Sequence, residues 1–325
     1  RDDKPYTDLL VSLFFDMLHF KNVLELYSNN YRTLITGAKT NLTLKLLCLD
    51  PSSMLNKNMT TAKSTILFSA TFSPLWYFKN ILGGRDEDIT LRLPSPFPRE
   101  NLLLYNENHI ETRYRYRSKY LDATAKAIYN WSIAHKGNVM VFFPSYKYLL
   151  DILKIFKELN GNFEIMCQDR AMDEASRDEF LKCFDVYGDV NRIAFCVMGG
   201  VFSEGIDLVG DKLTGVIIVG VGLPQVSPEL EIMREYYQNK SGDGFSYAYI
   251  YPGINKVLQA AGRLIRTETD KGALLLIDSR FASNEYLKLL PYEWHPIAKS
   301  TSGKDLGEVA SEFWKGDEAD NEAGE

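Results

Sequence analysis

Gln259, Arg263 and Arg266 fall at steps of four and three within Gln259-Ala260-Ala261-Gly262-Arg263-Leu264-Ile265-Arg266. On a helix that spacing puts all three side chains on one face. Two guanidiniums so placed fit the oxygens of a phosphoryl group, because arginine keeps its charge and fork geometry where water is excluded. Gly262 leaves room for a close approach on the same side. Paired arginines are also a common solvated helix face, so the segment alone leaves both readings open.

Three further segments could do chemistry. Gly199-Gly200-Val201-Phe202-Ser203-Glu204-Gly205-Ile206-Asp207-Leu208 follows an apolar run with a glycine-rich turn and then acids. Such a backbone can approach phosphate or sugar, and its carboxylates can accept hydroxyl hydrogen bonds; a plain turn is the other reading. Phe142-Phe143-Pro144-Ser145-Tyr146 ends a buried strand and starts a helix. Ser145 there either caps the helix or holds a backbone phosphate at its N-terminus. Arg113-Tyr114-Arg115-Tyr116-Arg117-Ser118-Lys119-Tyr120 alternates cations with rings. If extended, it puts the cations on one side and the tyrosines on the other, an arrangement that tracks a single strand's phosphates and stacks its bases. An edge strand with solvated arginines fits the pattern equally well.

Some chemistry is missing. No G-x-x-x-x-G-K-[ST] phosphate loop occurs, and Gly303-Lys304 has no partner glycine. Asp173-Glu174-Ala175-Ser176 resembles the start of a metal-binding acidic box, but it opens an amphipathic helix instead of ending a buried strand. Capping and the helix dipole account for those acids. Cys48, Cys167, Cys183 and Cys196 lie far apart without a C-x-x-C pair, and His19, His109, His135 and His295 are scattered. Neither set has metal-ligand spacing, so no metal site is expected and the cysteines read as free buried thiols.

These segments need a scaffold. Short strands apolar on both faces are expected at 139–143, 163–167, 192–197, 214–221, 246–251 and 273–278, with helices at about 118–135, 145–159, 173–184, 228–239 and 254–266. That alternation predicts an α/β fold whose mainly parallel sheet is covered on both sides and binds ligands at the carboxyl ends of its strands. Upstream, residues 6–27 carry Leu9, Leu10, Leu13, Phe14, Met17 and Leu18 at helical steps, and strands are expected at 42–49 and 64–68. Gly83-Gly84, Pro94, Pro96 and Pro98 mark a boundary near residue 92.

The chain has 325 residues, 45% hydrophobic and 25% charged, which excludes a disordered or disulfide-stapled polypeptide and suits roughly two domains. Its net charge of −6 comes entirely from residues 303–325, where eight acids face two lysines, so the rest is neutral and a nucleic-acid partner stays open. The tail after about 300 is expected to fray. No apolar run approaches the ~18 residues that span a bilayer. The chain opens Arg1-Asp2-Asp3 without Met and reads as a piece of something longer.

In this order, the segments resemble the second half of a superfamily 2 helicase of the XPD/DinG group. Ser69-Ala70-Thr71 looks like motif III, FFPSY at 142–146 like motif IV, SEGIDL at 203–208 like motif V, and QAAGRLIR at 259–266 like motif VI. The resemblance implies a RecA-like three-layer second lobe over 93–300, preceded at 1–92 by the end of an arch insertion and the return into the first lobe, and followed by an acidic tail at 301–325. It implies that Arg263 and Arg266 reach the γ-phosphate of ATP, Arg266 as arginine finger, with Gln259 placing the nucleotide or its water. Glu204, Gly205 and Asp207 would bind the nucleotide. Ser145, Tyr146, Ser203, Arg113, Arg115 and Arg117 would contact single-stranded DNA, and Ser69 and Thr71 would couple the lobes.

Mg²⁺ and the phosphate loop would come from the first lobe of the same parent chain, as would any 4Fe-4S cluster. An arginine finger without a phosphate loop has no charge to stabilise, so this piece is expected to be inactive alone. The expected whole is an ATP-dependent DNA helicase moving 5′ to 3′ on single strands, in DNA repair, cytoplasmic or on the nucleoid of a bacterium. A non-motor RecA-like binding module for nucleic acid or protein is the alternative.

Overall fold

A run such as Val139-Met140-Val141-Phe142-Phe143, with no polar alternation, can only be stable where both faces of its strand are covered. The computed structural model, which describes residues 4–38, 41–135, 137–159, 161–185, 191–203, 208–300 and 306–322, places it in that environment. The elements in chain order begin with α1 (Lys4–Glu25), β1 (Tyr31–Ala38), β2 (Asn41–Cys48), α2 (Ser52–Met59) and α3 (Leu75–Ile81). Then come β3 (Leu102–Glu107), α4 (Leu121–Ala134), β4 (Val139–Phe143), α5 (Tyr146–Glu158), β5 (Phe163–Cys167), α6 (Glu174–Lys182) and β6 (Asn191–Val197). The chain continues through β7 (Gly215–Val219), α7 (Pro228–Ser241), α8 (Tyr251–Ala261), β8 (Gly272–Ile277), α9 (Asn284–Leu287), β9 (Ala298–Lys299) and α10 (Leu306–Glu322).

Two compact units emerge. The first comprises residues 1–68, 75–90 and 226–248, and the second 69–74, 91–225 and 249–325. The division therefore does not fall at one point near residue 92: 69–74 group with the later lobe and α7 with the earlier segments.

In the first unit β1 and β2 form an antiparallel hairpin running from Tyr31 opposite Cys48 to Ala38 opposite Asn41. Asp50 is buried there and paired with Lys240 of α7, and Tyr237 stacks on Tyr247 at 4.1 Å. α1 forms as the apolar spacing predicts, with Leu9, Leu10, Phe14 and Met17 exposed.

The second unit is the RecA-like α/β lobe. Its seven strands run in the order β5-β6-β4-β7-β8-β3-β9, and every pairing is parallel. Val139 sits opposite Ile193 on one side and Gly215 on the other, so β4 is central. One face presents Tyr105, Val141, Phe143, Phe195 and Ile217 to Trp131 of α4 and to Leu149, Ile152 and Phe156 of α5. The alternate residues Met140, Phe142, Cys196 and Ile218 are also fully buried, on the opposite face. Each large side chain so buried contributes about 1.5–3 kcal/mol before entropy is charged against it.

Several expectations need correction. Ser246–Ile250 is a π-helical turn leading into α8, not a strand. Residues 64–68 form no strand: Ile66 is 83% and Phe68 89% exposed, because no described strand lies beside them to accept the ladder. Strands β1, β3 and β9 were not anticipated. Residues 113–116 are turn and Arg117–Tyr120 is a 3₁₀ helix, so the period-two separation of cations from rings does not arise. Of the tail expected to fray, residues 306–322 are helical, and 301–305 and 323–325 lie outside the described residues. Leu306, Ala310 and Trp314, four residues apart, pack into the core beside α4, and the Trp314 indole donates to His135 Nδ1 at 3.2 Å. Of the cysteines only Cys196 is buried, while Cys48 and Cys167 are exposed; all four are free.

Candidate functional site

α8 is apolar along one side, burying Ile254, Val257, Leu258 and Ala261, and this fixes which side Gln259 occupies. The helix stops at Ala261. Gly262 donates its N–H to Leu258 O at 2.9 Å, and the next two amides tighten to Ala260 O and Ala261 O. Arg263 and Arg266 therefore lie beyond the helix, and the three-on-one-face geometry read from their spacing is not how they meet.

They meet in a cleft. A cavity of about 680 Å³ is lined by Gln259 from the last turn of α8, by Arg263, Arg266 and Thr267 from the turn after it, and by Val209, Ala70 and Thr71. Gly262 lines it too, where a Cβ would come within 3.2 Å of Leu258 O. Arg263 Nε donates to the Ser203 carbonyl at 3.2 Å, joining the turn after α8 to the turn after β6. Asp270 closes the arginine turn: its carboxylate accepts from the Arg266 amide at 2.8 Å and from the Thr267 amide at 2.9 Å. Burial alone would raise the Asp270 pKa, but bonds from the Thr267 side chain and from the Arg266, Thr267 and Gly210 amides hold it below the usual carboxylate value.

The cleft is not in a turn leaving a strand. Residues 262–271 lead into β8 and 208–214 into β7, so the expected placement at the carboxyl ends of the strands does not hold for the arginines. The segment 69–74 is fixed locally: Thr71 N donates to Ser69 Oγ at 3.1 Å, and Ser73 Oγ donates to the Leu289 carbonyl at 2.9 Å. That brings Thr71, but not Ser69, to the cleft lining. Glu204, Gly205 and Asp207 lie outside the described residues. Ser203 is fully buried, its hydroxyl donating to Gly200 O at 2.8 Å, so the side chain presents nothing to a strand backbone; only its carbonyl enters the site.

The remaining candidates sit elsewhere in the lobe. Ser145 caps α5, its Oγ accepting from the Tyr148 amide, which satisfies the plainer reading of that residue. Asp173 caps α6 in the same way. The half-buried Tyr146 donates to Asp169 O at 3.3 Å, with Arg170 over its ring. Arg113 is paired with Glu111, and Arg115 is exposed and lies 4.6 Å from the Tyr116 ring centroid. Arg117 donates from Nε to Thr112 O and stands 4.1 Å over the Tyr148 ring; burial depresses its pKa.

Sequence reasoning missed the network beneath Arg117. Asp278, fully buried at the end of β8, receives Arg280 Nε and Nη2, each at 2.8 Å, and the Thr112 hydroxyl. The only signal for it is the Asp-Ser-Arg triplet after an apolar strand. Among the described residues no group of three or more histidine, cysteine, aspartate or glutamate side chains could hold a metal ion. Among them, too, no helix is long and apolar enough to cross a membrane.

Comparison with known proteins agrees with this geometry. The family model described as helicase C-terminal domain matches residues 128–297, more than half of the chain. The ATP-dependent DNA helicase CHL1 of Scheffersomyces stipitis is 28% identical over 74% of this chain and 32% of its own length. The ATP-dependent DNA helicase DinG of Photobacterium profundum is 30% identical over 70% of this chain and 33% of its own. The chain thus spans about a third of the length of these curated relatives. Two solved structures share the fold. XPD_Helicase has a TM-score of 0.62 at 21% identity, covering 87% of this chain and 50% of that one. XPD_APO has 0.61 at 22%, covering 87% and 56%. A parallel sheet of this order, the arginine cleft and the matched domain lead to one conclusion: the chain belongs to the helicase C-terminal domain family, as the C-terminal lobe of an XPD/DinG-type superfamily 2 helicase.

Proposed function

We propose that this lobe is the C-terminal motor half of an ATP-dependent DNA helicase that moves 5′ to 3′ along single-stranded DNA. The observation that carries the reading is the convergence of Gln259, Arg263, Arg266 and Thr71 on one cleft. Two guanidiniums and an amide fit a triphosphate held by a phosphate loop that this sequence lacks and a first lobe supplies. Arg266 acts as the arginine finger and Arg263 as its neighbour on the phosphate, with Gln259 orienting the nucleotide or the attacking water. Glu204, Gly205 and Asp207 meet the ribose and phosphate edge. Ser69 and Thr71 relay lobe closure, and Mg²⁺ belongs to the first lobe.

Single-stranded DNA runs past Tyr146, Arg115 and Arg117, its phosphates held electrostatically and its bases stacked on tyrosine. The lobe alone does not turn over ATP. The test is Arg266→Ala in the full-length protein: DNA-stimulated hydrolysis is expected to fall by about 10³-fold or more, with single-strand affinity kept within about twofold. Unchanged turnover removes Arg266 from the chemistry and the motor reading with it.

A further inference from the structure

Arg266 lies past the end of α8 and before β8, so neither helix nor sheet fixes its backbone. The carboxylate of Asp270 does. Oδ2 accepts from the Arg266 and Thr267 amides, and Oδ1 accepts from Thr267 Oγ1 at 2.6 Å. A carboxylate only 6% exposed, receiving this many donors, makes a stiff clamp, since losing any partner leaves a buried polar group unsatisfied.

The nearby Gly210 amide favours the ionised Asp270, and Gly210 adopts φ +66°, a left-handed conformation that glycine takes without strain. Val209, next to Gly210, and Thr267, clamped by Asp270, both line the arginine cleft. The turn that Asp270 clamps therefore forms one edge of the cleft.

We infer that Asp270 is a positioning residue: it fixes the backbone from which Arg266 reaches phosphate. This rests on the assignment of Arg266 to the triphosphate. Asp270 itself touches no reacting atom, and its contribution passes wholly through where Arg266 starts.

The experiment is a double-mutant cycle in the full-length protein, with DNA-stimulated ATP hydrolysis as readout. Asp270→Asn keeps size and burial but replaces one acceptor oxygen by a donor, turning it against the amides it held. Its kcat is expected to fall about 10- to 100-fold, as a misplaced catalytic group costs, while KM for ATP and single-strand affinity stay within about twofold. Combined with Arg266→Ala, Asp270→Asn should add no further loss, because a residue acting through Arg266 has nothing left to position. Asp270→Glu, which keeps both acceptors, should recover part of the lost kcat.

Wild-type kcat in Asp270→Asn, or losses that multiply in the double variant, overturns the inference while leaving the motor assignment intact. An Arg266→Ala variant with normal turnover instead overturns that assignment, and the inference with it. Circular dichroism and melting of Asp270→Asn test whether the variant compared is folded; if it is not, Thr267→Val, which removes the Oδ1 donor and a bond to the exposed Thr269 hydroxyl, runs through the same cycle, where non-additive loss supports the inference and multiplying loss overturns it.

Discussion

Arg263 donates from Nε to the main-chain oxygen of Ser203, 3.2 Å away. The acceptor is a neutral carbonyl, so this bond fixes the direction of the side chain. The turn after β6 thus orients an arginine that lines the cleft, and direction and charge are two separate properties of this side chain.

Arg263→Lys separates these two roles. Lysine keeps the charge but has no Nε–H in a rigid plane to engage Ser203. Steady-state ATP hydrolysis by the full-length variant is expected to drop about 10- to 100-fold. A lysine variant as fast as wild type would mean that charge alone matters at this position.

The arginines at 113, 115 and 117 should not contribute equally to single-strand binding. Arg113 is already paired with Glu111, whereas Arg115 and Arg117 lie against tyrosine rings. Arg115→Ala and Arg117→Ala should each reduce the slope of log affinity against log salt by about 0.7, with Arg113→Ala changing it much less. Fluorescence anisotropy on an oligothymidylate over a range of salt concentrations reads this directly, and three equal slopes would show the Glu111 pair to be open in solution.

His135 sets an acid limit on stability. Desolvation pushes its pKa from 6.5 down to about 3, and both ring nitrogens are engaged, Nδ1 by Trp314 and Nε2 by Thr214. The unfolded chain binds a proton that the folded one refuses, so the penalty is absent above pH 6.5 and grows as pH falls toward 3. Between pH 7 and pH 5 the loss is about 2 kcal/mol. Urea unfolding at the two pH values checks it, and His135→Gln should remove this part of the pH dependence.

Trp314 should matter to stability far more than its acidic surroundings suggest. Trp314→Ala empties a core position beside α4 and strips the hydrogen bond from His135, at a cost of about 3–5 kcal/mol. A shift under about 0.5 kcal/mol in denaturant unfolding would show that α10 does not dock in solution.

The central strands were readable because Val139–Phe143 and its neighbours are too apolar to be anything but buried, and that pattern carries fold class without help from tertiary context. Ser246–Ile250 misled for the same reason. Its tyrosines alternate as a strand's do, but their packing, with Tyr247 stacked on Tyr237, lies on a helical turn. The polar β1 gave no signal, since its hairpin needs only the β2 partner and exposes most of both faces. In α10 net charge masked the Leu306, Ala310, Trp314 spacing that was present all along. At the site, residue types were legible and geometry was not. Gln259, Arg263 and Arg266 were found by spacing, yet a helix end at Ala261 brings them together by another route, and Asp270, four residues beyond Arg266, gave no sign of its bonds to the Arg266 and Thr267 amides.

Because α8 ends at Ala261, the arginine arm and the scaffold are mechanically separate parts. The two guanidiniums take their direction from polar bonds of that turn, Arg263 from the Ser203 carbonyl and the Arg266 backbone from Asp270, and not from the apolar contacts of the helix. Had the helix continued through Arg266, swinging those charges would have meant dragging a packed cylinder across the sheet. Held by a turn, they can be redirected by breaking polar bonds such as the Asp270 clamp, without unseating the helix.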